Sequence, residues 1–182
     1  MKHAILALKL LVFAYLGYLL IFMTTEYEPA RSGYSPPFIL WVTDTINLFI
    51  HEAGHFFLKP FGMWIYIIGG SFFQCIIPLA LLLVTWRQNI GQIVYPAFWL
   101  GENMVNVSVY IQDAPFKRLK LIAKGLIHDW NWLLAGNLEY AEPLATTVKV
   151  LGLIVCFAAL GAGTYFAIQS FREDAELSTM PE

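Results

Sequence analysis

The chain has 182 residues, of which 58% are hydrophobic, 16% aromatic and only 13% charged, with a mean hydropathy of +0.61. A soluble domain is nearer 45–50% apolar and about 25% charged, so a purely water-soluble globule is excluded. The net charge of −2 removes any electrostatic case for a nucleic-acid partner. Both cysteines, Cys75 and Cys156, sit in apolar runs, which argues against a disulfide framework.

Residues 4–23 form the first long apolar run. A basic start precedes it, as in a signal peptide. The run is long enough for a full span, however, and no small-x-small cleavage site follows, so it is expected to be retained. A polar loop over 24–37 carries Pro29, Gly33, Pro36 and Pro37, which break helices. Further spans are expected over 38–58, 63–86, 90–112 and 147–168. Between the last two, Phe116, Leu119, Ile122, Ala123, Leu126 and Ile127 share one helical face, and Lys117, Lys120 and Lys124 another. That pattern predicts an amphipathic helix on the membrane surface within 114–143. A short helical stretch over 130–140 should follow, with Asp129 as its N-cap. The expected fold class is all-α: a polytopic membrane protein of about five transmembrane helices with a juxtamembrane amphipathic segment, one membrane domain over 1–182 and the lipid bilayer as its first partner.

Strict alternation of spans with a cytoplasmic N-terminus puts Lys2, Lys59, Lys117, Arg118, Lys120, Lys124 and Lys149 inside and Arg31, Arg87 and Arg172 outside. The bias agrees with the positive-inside rule and suits a bacterial inner membrane.

Residues 51–55 read His-Glu-Ala-Gly-His. Positions four apart share a helix face, so His51 and His55 aim two imidazoles at one point. Glu52, one residue on, can reach a water there. This is the HExxH arrangement of a zinc site with a Glu general base. Two structural histidines and a buried Glu form the plainer reading. Three ionisable groups within five positions of an apolar span cost about 2.5–3.5 kcal/mol each, and a bound Zn2+ accounts for them. Tetrahedral zinc needs a third protein ligand. Asp113, at the end of the fourth span, and His128, in the following stretch, both lie at a suitable depth, and the choice stays open. Glu102, nearer the middle of the fourth span, fits the ligand shell less well.

Glu102, Asn106 and Asp113 fall near one face of the fourth span, and Asp44 and Asn47 share the His51 face of the second. Polar groups at this depth turn toward protein or water. They read as a second shell, a water path or simple interhelical hydrogen bonds. Gly69-Gly70-Ser71, early in the third span, allows either close packing or irregular backbone along a substrate groove.

His51-Glu52-Ala53-Gly54-His55 late in one span, a glycine-bearing next span and Asn106-Val-Ser-Val-Tyr-Ile-Gln-Asp113 in the one after together resemble the site-2 protease class of intramembrane metalloproteases. The likeness covers about residues 38–113. It implies a three-helix core, His51, His55 and Asp113 as zinc ligands, Glu52 as base and a membrane-embedded protein or peptide as substrate. No inter-span loop is long enough for a PDZ-like insertion, so selection would fall to the spans, the amphipathic stretch or a partner. The rival expectations are a non-catalytic metal-binding membrane scaffold and, on the polar seam alone, an ion transporter.

Overall fold

The computed structural model describes residues 2–119 and 127–177. Among the described residues six α-helices succeed one another: α1 Lys2–Thr25, α2 Phe38–Leu58, α3 Met63–Gln88, α4 Val94–Gln112, α5 Asp129–Leu133 and α6 Ala141–Leu177. No strand occurs among the described residues. Helix boundaries follow the local chemistry. Pro37 holds the extended conformation that precedes α2. Gly62, at φ 96°, separates a 3-10 turn from α3 in a region that side chains disfavour. The Asn89 side chain accepts a hydrogen bond from the Gly91 amide between α3 and α4.

Among the described residues three helices are long and apolar enough to cross a membrane: His3–Thr25, Met63–Gln88 and Leu138–Glu173. The segments expected to be the second and fourth spans are helical too, but each buries a polar face against its neighbours. In α2 the buried residues include Asn47 and His51. In α4 they include Glu102, Asn103, Asn106 and Ser108.

The main core lies among α1, α4 and α6, where Phe13, Leu19 and Met23 meet Val94, Phe98, Val105 and Cys156. α4 and α6 touch backbone to backbone. A Cβ on Gly101 would lie 2.6 Å from the Gly152 carbonyl oxygen, so only small residues fit this crossing.

The direction of the helices departs from alternation. His3 contacts Phe171, Phe13 contacts Tyr95 and Tyr27 reaches Asn106. α1 therefore runs parallel to α4. α2 pairs antiparallel with α3 through His51–Gln74 and His55–Tyr66, and α3 pairs antiparallel with α4, with Gln74 on Asn106, Cys75 in the cluster of Val107 and Ile111, and Leu82 in that of Val94 and Phe98. α2 thus also runs parallel to α4, and so to α1. The linking segment turns back, with Tyr34 against Phe22 and Tyr27. The N-terminus lies at the end of the bundle opposite the C-terminus of α2, whereas alternation would put both on one side.

The stretch after α4 also differs from expectation. Residues 113–116 form a turn and Lys117 adopts φ 54°, so no helix crosses 113–119. Lys120, Ile122, Ala123, Lys124 and Leu126 lie outside the described residues. The next helix covers only Asp129–Leu133, with His128, not Asp129, at its N-cap. α6 starts earlier and ends later than the apolar run over 147–168, taking Pro143 into its first turn, where a missing N–H costs nothing.

Candidate metal centre

His51 and His55 stand on consecutive turns of α2, one turn from its C-terminal end. Their Nε2 atoms are 3.0 Å apart. Asp129, the first residue of α5, places Oδ2 2.8 Å from Nε2 of His51 and 3.1 Å from Nε2 of His55. These three residues are the one group of potential metal ligands found among the described residues.

The other ring nitrogens fix what those atoms offer. Nδ1 of His55 lies 2.7 Å from the Tyr66 carbonyl oxygen, which only accepts, so Nδ1 carries the hydrogen. Nδ1 of His51 lies 2.7 Å from Oε1 of Gln74 and donates to it. In the neutral rings both Nε2 atoms therefore present lone pairs. They face each other and a carboxylate oxygen with no hydrogen between them. Three lone pairs at this separation repel unless a cation joins them. Ligands 2.0–2.1 Å from a tetrahedral zinc lie roughly 3.3 Å apart, close to the spacing seen here. The donor set of two imidazoles and one carboxylate fits a zinc ion. A proton can take the same place, as an imidazolium N–H donating to Asp129. Burial alone pushes the Asp129 carboxyl up, but where the imidazoles carry that proton their hydrogen bonds to Asp129 outweigh burial and hold it below the usual carboxylate range.

The backbone makes room for this arrangement. A Cβ on Gly70 would collide with the His51 imidazole, and one on Gly54 would collide with the Gly69 carbonyl. α3 is helical through Gly69-Gly70-Ser71. Of the two readings of that stretch the structure shows close packing, with Gly69 against Gly54 and Gly70 as the seat of the His51 ring. Tyr110 of α4 stacks on the other side of that ring, 5.6 Å between centroids. α5 is anchored on three sides: Trp130 donates to Ser71 at 3.1 Å, Asn131 donates to the Ala114 carbonyl at 2.9 Å, and Trp132 packs edge-on against Trp64. Glu52 is half-buried, and its carboxylate acts on His55 and Tyr110 through space.

Asp113 and His128, the two expected third ligands, are not in the cluster. They pair with each other at 3.2 Å. Asp113 also accepts from the Arg118 and Leu119 amides at 3.0 and 2.8 Å, closing the turn after α4. That turn uses both carboxylate oxygens, which leaves Asp113 a structural role.

The polar seam is continuous. Asn47 donates to Glu102 at 2.8 Å and accepts from Trp99. Tyr27 donates to Asp44 at 2.6 Å, and Asn106 donates to both the Tyr27 hydroxyl and Asp44. Gln74 donates to Asn106 at 2.9 Å and so links the seam to His51. Asp44, Asn47, Glu102 and Asn106 thus lie outside the ligand cluster. Asp129 and Gln74 were both missed from sequence. Gln74, a polar residue in an apolar span, carried the signal already used for α4. Asp129 sits in the polar-aromatic run His128-Asp129-Trp130-Asn131-Trp132, one residue from the histidine that drew attention.

Comparison with known protein families, curated proteins and solved structures returns no match for the chain.

Proposed function

We propose that this chain is an intramembrane zinc metalloprotease of the site-2 protease kind, with His51, His55 and Asp129 as ligands and Glu52 as general base. The convergence of two imidazole lone pairs from α2 with the Asp129 carboxylate oxygen from α5, in a chain with three helices long and apolar enough to cross a membrane, carries the reading. His51, His55 and Asp129 would hold the ion, and three protein ligands is the number that a catalytic zinc takes. When bound there, zinc supplies Lewis-acid chemistry, making water acidic near neutral pH and polarising a carbonyl. Asp129 and the two rings hold the ion. The Glu52 carboxylate, one residue from His51 and without a side-chain hydrogen bond to a described residue, takes a proton from the attacking water and returns it to the departing amine nitrogen. The substrate is a peptide bond in a membrane-embedded or membrane-adjacent segment, unwound where it meets the site.

In this reading α2 and α4 cross the bilayer with α1, α3 and α6, shielded by their neighbours. The end bearing the metal centre carries Arg31, Lys59, Lys117 and Arg118, and the opposite end Lys2, Arg87 and Arg172. The excess favours the metal centre on the cytoplasmic side and the N-terminus on the other.

The test is cleavage of a panel of labelled single-span proteins co-reconstituted with the purified chain. Glu52→Gln should keep zinc and lose cleavage by at least about 100-fold. Zinc retention with no cleavage by wild type of any panel member would favour a structural metal in a membrane scaffold, and equal cleavage by wild type and Glu52→Gln would refute the role of Glu52.

A further inference from the structure

We infer that Gln74 is a positioning residue that fixes which nitrogen of His51 faces the metal. This rests on the metal reading above and adds a component to it. The Nδ1 atoms of the two ligand rings are held by different means. His55 leans on the Tyr66 backbone carbonyl, which no side-chain change removes. His51 leans on a side chain, and that side chain can in principle turn over and present N–H instead of oxygen.

The seam prevents the turn. Oδ1 of Asp44 accepts from both the Tyr27 hydroxyl and Nδ2 of Asn106. With Nδ2 committed to Asp44 and Tyr27, Asn106 presents Oδ1 to Gln74. Oδ1 accepts from Nε2 of Gln74. Nε2 of Gln74 also lies 3.5 Å from Oδ1 of Asn103, a second acceptor on the same side. Oε1 is then the only Gln74 atom left for His51, and it accepts from Nδ1. Reversing the Gln74 amide would set oxygen against oxygen at Asn106 and hydrogen against hydrogen at His51. Gln74 is 1% exposed, so no water relieves either clash. The direction set at Asp44 thus passes through two amides to the ring. Its outcome is a protonated Nδ1 and a free lone pair on Nε2, the atom beside Asp129. An outer partner of this kind tunes metal affinity by about 10- to 100-fold.

The experiment measures zinc affinity by competition with a chelator, using the full chain in detergent at fixed pH. Gln74→Met, close in shape but without the acceptor, should bind zinc about 10- to 100-fold more weakly. Gln74→Glu keeps an acceptor for Nδ1 and, as a buried carboxylic acid with its O–H toward Asn106 Oδ1, also keeps the donor, so it should stay within about threefold of wild type. A purely structural role would not be rescued by this buried carboxyl group. Gln74→Met binding as tightly as wild type, or both variants losing affinity equally, would overturn the inference. Independently of any variant, 15N NMR of ring-labelled histidine in the zinc-loaded wild type should show His51 protonated at Nδ1 and metal-bound at Nε2. The reverse assignment would overturn it. A wild type that binds no zinc would instead bring down the metal reading itself.

Discussion

Asp129, half-buried, and Asp113, buried, both lie against histidine, and their hydrogen bonds separate their roles. Asp129 has one oxygen shared between two imidazoles, whereas Asp113 has both oxygens engaged by a turn and by His128. Asp129→Ala should therefore lower zinc affinity by more than about 100-fold. Asp113→Asn should leave affinity within a few-fold but destabilise the fold by about 1–3 kcal/mol, since backbone amides lose a charged acceptor. Zinc titration and thermal melts on the two variants check both statements, and the opposite pattern would restore Asp113 as the ligand. Proton and metal compete for one place among the three atoms, so zinc affinity should fall as pH is lowered. Asp129 is held below the ordinary carboxylate range, so it stays ionised while the imidazoles take up protons. Chelator competition at pH 8, 7 and 6 should show the decline, and a flat profile would exclude imidazole ligation. The histidine pair was legible because HExxH is local to one helix. The place of Asp129 beside it was not, because spacing along the chain does not report which residue of a folded-back segment points inward.

At the scale of the element, the apolar runs located α1, α2, α3 and α4 to within a few residues, since burial and length leave little freedom there. Over the described residues 113–119 the chain departs from the sequence reading. A face of apolar residues and a face of lysines suggested a helix, yet Asp113 ties down the amides of Arg118 and Leu119 and draws the chain into a turn. The glycines matter through what lies against them. Gly70→Ala would push a methyl group into the His51 imidazole, a form of overpacking that costs about 1–3 kcal/mol. The ring must move to relieve it. The variant should stay helical by circular dichroism while its zinc affinity falls by about 10-fold or more. Unchanged affinity would mean that the ring has slack the packing does not suggest.

For the whole molecule, the parallel course of α1 and α2 is the feature that hydropathy alone could not supply. Runs of apolar residues count helices but do not say when a connection doubles back. The contacts of Tyr34 with Phe22 and Tyr27 show that it does. A thiol-reactive, membrane-impermeant label in sealed vesicles should reach a cysteine placed at His3 from one side and one placed at Phe61 from the other. Labelling of both from one side would refute the arrangement. The ligands also come from distant parts of the chain: His51 and Asp129 are 78 positions apart. At roughly 5–20 residues per second, a ribosome needs roughly 4 to 16 s to travel between them. For that interval the nascent protein holds two imidazoles and the Glu52 carboxylate but no third ligand to retain an ion. The cluster is thereby completed only after α3 and α4 are made and α5 arrives, so the order of synthesis puts its surroundings in place before its last member.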